Sequence, residues 1–212
     1  MSEARLLPVH GFVLAGGKST RMGGDKALMP FCGRPMVEIA AEKLRSFCAE
    51  VSIAGNRDDL AGYADVVHET RLEAGPAAGV EAGLKAARQE WVLFVPVDVP
   101  LVPVELLRRW ASAVVNEGKD GLVMSHLYGV VNQPAFCMLR RECSDRFSAG
   151  LDAGERRLSR LLHFQLNAGE FYLTHDMDEL YGENRPEDEL VGRWFANVNT
   201  PEDLAEAEAS FG

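Results

Sequence analysis

Leu14–Lys26, LAGGKSTRMGGDK, carries the densest chemistry in the chain. Four glycines (Gly16, Gly17, Gly23, Gly24) and three cations (Lys18, Arg21, Lys26) directly follow an apolar run. Glycine lets backbone N–H groups approach an anion closely, and the cations offset the charge of a triphosphate. Two familiar nucleotide loops fail on spacing. A Walker A loop ending at Gly17-Lys18-Ser19 needs glycine at position 12, which is Phe12. A dinucleotide G-x-G-x-x-G beginning at Gly16 needs glycine at position 18, which is Lys18.

Asp98, in VPVDVPLVP, closes the most apolar run of the chain, Trp91–Val97. A carboxylate at the carboxyl end of a buried strand lies where open α/β sheets bind ligands. It can hold Mg²⁺, which takes one or two carboxylates and completes its shell with substrate phosphates and water. An aspartate before proline is equally a turn former, so Asp98 alone leaves both roles open. The five histidines show no H-x-H or H-E-x-x-H spacing, and no G-x-S-x-G elbow is present. Phosphoryl chemistry needs no protein nucleophile, because positioning and charge neutralisation can carry it.

These residues need a scaffold, and the patterning supplies one. Gly11–Ala15, Glu50–Ala54, Ala64–His68, Trp91–Val97, Gly121–Ser125 and Pro134–Leu139 read as strands. Pro35–Phe47, Gly79–Arg88, Pro103–Asn116, Glu155–His163 and Pro201–Ala209 read as helices. Strands alternating with helices predict a three-layer α/β/α fold with a mostly parallel, Rossmann-like sheet. The 212 residues fit one domain spanning 1–212, with an acidic loop or insertion near 175–190, where seven acids face one arginine.

The net charge of −10 argues against broad nucleic-acid binding. Residues 1–45 are nonetheless locally basic, which suits a small anionic ligand. The four cysteines form no C-x-x-C pair and read as buried free thiols. No signal peptide or membrane-spanning run is evident, so a cytoplasmic protein without a membrane partner is expected.

The segment Leu14–Lys26 resembles the signature of the molybdenum cofactor guanylyltransferase family, L-A-G-G-x-S-x-R-M-G-x-D-K, without a gap. That family has the nucleotide-diphospho-sugar transferase-like fold. Asp98-Val99-Pro100-Leu101 is similar to its D-x-P motif and Gly75–Gly79 to its G-P-L-A-G element. Glu69 stands where the family usually has Asp, and Asn56 falls in a segment similar to N-x-N-R. VNQPAF (131–136) and AGERRLSRLL (153–162) resemble acceptor-side segments, and Asn197–Leu204 the closing N-V-N-T-P-E-[DE]-L. The two asparagines of that ending alternate as on one face of a strand.

The resemblance implies GMP transfer from GTP to molybdopterin or Mo-molybdopterin, with Mg²⁺ as cofactor. Lys26, Arg21 and Asp98 are the implied catalytic residues, with Asp98 the metal ligand. Leu14, Ala15, Gly16, Gly17, Lys18, Lys26, Asn56, Glu69 and Asp98 are the implied nucleotide contacts. Arg156, Asn197 and Asn199 are the implied acceptor contacts, although exposed helix arginines are ordinarily just solvated. Molybdoenzyme maturation proteins are implied partners. Two alternatives stay open: a molybdopterin cytidylyltransferase, whose homologues generally show L-A-A-G and P-K, or another small-molecule nucleotidyltransferase of the same fold; and a non-catalytic module that delivers nucleotide or cofactor.

Overall fold

The computed structural model describes residues 6–16, 25–71, 74–117, 122–128, 132–163 and 171–211. In chain order its strands are β1 (Leu7–Leu14), the separate hairpin β2 (Pro30–Phe31) and β3 (Arg34–Pro35), β4 (Cys48–Ala54), β5 (Asp65–Val67), β6 (Trp91–Pro96), β7 (Leu122–Tyr128), β8 (Asn132–Arg140) and β9 (Phe171–His175). The main sheet runs β5-β4-β1-β6-β8-β7-β9. Its first four strands are parallel, β8 is antiparallel to both β6 and β7, and β9 is parallel to β7.

The apolar strands have this character because both of their faces are covered. Val9 and Val13 of β1, with Trp91, Leu93 and Val95 of β6, face one core. That core is closed by α1 (Met36–Arg45) and α3 (Val104–Glu117) through Leu44, Trp110 and Val114. Phe12 and Leu14, with Val92 and Phe94, face the other core. There they meet α2 (Pro76–Ala86), α4 (Ser144–Asp152) and α5 (Leu158–His163). The period of two along each strand thus makes the three layers. Helix α2 rides close to the sheet: a Cβ added at Gly83 would lie 3.0 Å from Phe94 Cζ and 3.2 Å from Phe12 Cγ.

Several boundaries differ from the sequence pattern. Strand β1 begins at Leu7 rather than Gly11, because buried His10 finds a partner in Ser52 at 3.0 Å and so tolerates the ladder. Helix α2 begins at Pro76, where proline suits the first turn. Helix α5 begins only at Leu158, since Glu155 folds back to accept from the Arg156 and Arg157 N–H groups. Strand β9 and helix α4 have no counterpart in the sequence reading.

The acidic stretch 175–190 is not the expected loop. His175 ends β9, and α6 (Met177–Tyr181) and α7 (Asp188–Trp194) follow. Asp176 and Glu179 form a reciprocal capping box on α6. Met177, Leu180 and Val191 are buried in the first core, so the acids occupy the outer face of an ordinary amphipathic packing. Helix α8 (Pro201–Phe211) completes the described chain. Of the thiols, Cys48, Cys137 and Cys143 are buried, but Cys32 is exposed in the β2–β3 turn. No helix among the described residues is long and apolar enough to cross a membrane.

One buried carboxylate ties the second layer together. Glu81 of α2 accepts from Arg71 Nε at 2.8 Å and Lys85 Nζ at 2.8 Å, and Arg71 reaches on to Asp152 of α4 at 2.6 Å. Burial alone would push the Glu81 carboxyl up, but the Arg71 and Lys85 hydrogen bonds prevail and hold it at about 2. A carboxyl below its ordinary value of 4.5 stabilises the fold above that value, and the contribution is lost as pH falls toward about 2. Glu81→Gln is therefore expected to cost roughly 1–3 kcal/mol at neutral pH. Urea midpoints should show the gap to wild type narrowing from pH 7 to pH 3. A gap independent of pH would assign the loss to packing instead.

Candidate active site

The register places Leu14 of β1 opposite Ala54 of β4 and Pro96 of β6, so three strands end on one edge of the sheet. A cleft of about 220 Å³ opens there, lined by Leu14, Ala15, Gly16, Asp25, Lys26, Ala27, Arg57, Glu69, Pro76, Pro96, Val97, Asp98 and Ala135. The Ala15 N–H donates to Ala54 O at 3.0 Å, and Leu14 O accepts from Val97 N at 3.2 Å. The Ala15 donor is thus spent on the fold, whereas the Leu14 carbonyl keeps a second lone pair for a ligand.

Lys26 lies at the centre of the cleft's chemistry. It opens a short 3₁₀ turn, Lys26–Leu28, capped by Asp25, whose Oδ1 accepts from Ala27 N at 3.0 Å. Its ammonium meets Asp98 Oδ2 at 3.1 Å and also donates to Asn199 Oδ1. The Lys26 and Asp98 side chains are 18% and 21% exposed, so their ion pair is partly screened yet open to a ligand. The Asp98 carbonyl accepts from Val198 N at 2.8 Å, docking the C-terminal segment onto the end of β6.

Glu69 faces the floor. A Cβ at Gly79 would stand 3.2 Å from Glu69 Oε1, and a Cβ at Gly16 would collide with the same oxygen. Gly16 thus leaves room for this carboxylate, which would have to move aside for any larger residue there. Burial pushes the Glu69 carboxyl up, and it has no hydrogen-bond partner among the described residues. An unpartnered, half-buried carboxylate in a cleft suits N–H donors from a ligand.

The other sequence-predicted residues fall as follows. Asn56 is exposed and outside the cleft lining, where its neighbour Arg57 is found instead. Arg156 donates to Leu151 O at 2.6 Å and Glu155 O at 2.9 Å, holding its own turn, and does not line the cleft. Asn197 and Asn199 flank buried Val198, but they sit in irregular chain outside any ladder rather than on a strand. Asn197 Oδ1 accepts from Gln133 Nε2 at 3.2 Å, while Asn199 meets Lys26. Gly17, Lys18 and Arg21 lie outside the described residues.

Three residues join the site that motif spacing did not single out. Arg57 binds Asp25, with Nη1 at 2.9 Å from Oδ1. Gln133 reaches the Phe195 carbonyl as well as Asn197, fixing the segment that carries the asparagines. Lys43 of α1 donates to Pro100 O and, at 2.8 Å, to Val102 O, holding the turn after Asp98; burial brings its ammonium down to about 8. Arg57 and Gln133 belong to short segments noted in the sequence. Lys43 reads there only as a helix-surface cation, and no sequence signal marks it.

Three carboxylates line this cleft, Asp25, Glu69 and Asp98. Asp25 is engaged by Arg57, and no group of three or more His, Cys, Asp or Glu residues that could hold a metal occurs among the described residues. One strand-end aspartate beside room for a polyphosphate fits the habit of Mg²⁺, which draws its remaining oxygens from substrate and water.

Comparisons with known proteins agree with this geometry. Residues 11–169 match the family described as MobA-like NTP transferase domain. The molybdenum cofactor guanylyltransferase of Polynucleobacter asymbioticus is 33% identical over 209 residues, covering 95% of this chain and 96% of that protein. The same enzyme of Shewanella sediminis is 32% identical over 201 residues, covering 92% and 93%. Among solved structures, molybdopterin-guanine dinucleotide biosynthesis protein A from Archaeoglobus fulgidus superimposes with a TM-score of 0.72 at 22% identity, covering 95% of this chain and 98% of that one.

Proposed function

The chain belongs to the MobA-like NTP transferase domain family, and on that premise we propose that it transfers GMP from GTP to the terminal phosphate of molybdopterin or Mo-molybdopterin. An oxygen of the acceptor phosphate attacks the α-phosphorus in line. One P–O bond forms to the acceptor as the bond to the β-phosphate oxygen breaks, and pyrophosphate leaves. The observation that carries this reading is the position of Lys26, between Asp98 on the sheet edge and Asn199 on the C-terminal segment. A cation at that junction faces the phosphates of both substrates.

Each residue has a role by this reading. Lys26 neutralises charge that grows on the phosphates in the transition state, which accelerates the step only where the charge is already held in place. Asp98 would hold Mg²⁺, which supplies Lewis-acid polarisation and charge neutralisation when bound. The amides of Asn197 and Asn199 have their oxygens engaged by Gln133 and Lys26, which leaves their N–H groups for the acceptor.

Guanine preference follows from Glu69. A carboxylate can accept from guanine N1–H and N2–H together, whereas cytosine offers its exocyclic amine beside an acceptor. Glu69→Gln replaces one acceptor oxygen by a donor, and it is expected to raise the KM for GTP roughly 10- to 100-fold. The KM should also rise as pH falls, beginning at a higher pH than an ordinary carboxylate gives, because burial raises this group and protonation removes an acceptor.

The test is pyrophosphate release with Mg²⁺, molybdopterin and either GTP or CTP. Acceptor-dependent release with GTP supports the proposal. Preference for CTP keeps the chemistry and replaces the product; binding without release favours a delivery module.

A further inference from the structure

Arg57 reaches the cleft wall without being free to bind a phosphate. Its guanidinium forks onto Asp25, with Nη1 at 2.9 Å from Oδ1 and Nη2 on Oδ2. Its Nε and Nη2 also hold Asp59, at 2.8 and 2.6 Å. Two carboxylates thus occupy both usable edges of one cation, and the trio carries net negative charge. A triphosphate gains nothing from it.

The Asp25 carboxylate it grips is the one that caps the turn opening at Lys26, through Ala27 N. Asp25 and Lys26 are adjacent in the chain, directly after the glycine-rich stretch of the sequence. Arg57 belongs to a different part of the fold, the loop after β4, which is anchored by the sheet. The Arg57 side chain is 17% exposed, so the fork is set in the wall rather than waving from it.

We propose that Arg57 is a positioning residue that acts through Asp25 to hold the Lys26 ammonium between Asp98 and Asn199. This rests on the role of Lys26 in nucleotidyl transfer given above. Lysine can replace it only in part, because one ammonium reaches only one point of a carboxylate that must be oriented in two directions.

Two measurements test this, one of them independent of turnover. The chain has five lysines, so ¹³C-lysine labelling of the otherwise unmodified protein gives a side-chain spectrum in which the Lys26 signal is found by its loss in Lys26→Ala. In Arg57→Ala and in Asp25→Asn the Lys26 signal is expected to move toward that of a solvent-exposed lysine, while the remaining lysine signals stay in place. An unchanged Lys26 signal in both variants overturns the proposal, whatever reaction the protein catalyses. Conversely, a wild-type protein that releases no pyrophosphate from GTP and molybdopterin overturns the functional reading and leaves the spectrum to decide the role of Arg57.

Kinetics supply the second arm. Arg57→Ala should lower kcat roughly 10- to 100-fold with little change in KM for GTP, the size expected when a catalytic charge is misplaced by about an ångström. Arg57→Lys should recover only part of the loss. In a Lys26→Ala background the Arg57→Ala change should cost nothing more, since its route of action is already gone. Full multiplication of the two losses, or a KM effect with kcat unchanged, would show that Arg57 acts on substrate directly.

Discussion

Asp98→Ala is expected to lower kcat by about 10³-fold or more while leaving the fold close to wild type, because one carboxylate serves two electrostatic functions at once. It pairs with the Lys26 ammonium at 3.1 Å, and it is the oxygen donor for the proposed Mg²⁺. Removing it leaves Lys26 with Asn199 alone and takes away the carboxylate at the end of β6. The fold loses little. The ion pair is partly exposed and contributes on the order of 0–1 kcal/mol, and the Asp98 carbonyl, which holds Val198, survives the substitution. Asp98→Asn, of the same shape, should show nearly the same kinetic loss and should not recover at high Mg²⁺. Pyrophosphate release across a Mg²⁺ titration, with a urea melt of each variant, checks both halves. A variant that loses stability but retains turnover in its folded fraction would end the electrostatic assignment.

Lys26→Ala should cost roughly 10²–10³ in kcat, the usual effect of removing one preorganised charge from a transition state. The loss should fall on kcat more than on KM, since a charge held in place by Asp98 and Asn199 acts chiefly where charge grows in the transition state. Arginine is not expected to rescue, because its broad planar fork does not fit where a compact ammonium bridges a carboxylate and an amide. Single-turnover rates with saturating GTP and acceptor are the measurement. A wild-type rate in Lys26→Ala would remove this residue from the mechanism and, with it, the purpose assigned to Arg57.

The parallel half of the sheet was legible because both faces of β1 and β6 are buried, which leaves continuous apolar runs that few other structures explain. The antiparallel half was less so: β9 lies in a segment whose pattern gives no clean alternation, and the start of β1 is disguised by Pro8 and His10. In 175–190 the count of acids outweighed the few apolar positions that decide packing. Met177, Leu180 and Val191 suffice to seat two short helices, and charge on their outer faces is irrelevant to that. At the site, residues lying within a short contiguous motif were easy to single out, Gly16 and Lys26 in one and Asp98 in another. Contacts between distant segments were not. Nothing in AGNRDD says that Arg57 faces Asp25 rather than that Asn56 faces a base, and nothing around Arg156 says that its donors are spent on Leu151 and Glu155 carbonyls. Such pairings exist only once the chain has closed on itself.

The hydrogen bond from Val198 to the Asp98 carbonyl also sets an order of events during synthesis. Asn199 is made 173 positions after the Lys26 it meets. Strands β1, β4 and β6, with the cleft floor between them, are complete in a nascent chain that still lacks the segment carrying both asparagines. The walls of the cleft are thus made before the partner that meets Lys26 from the C-terminal segment.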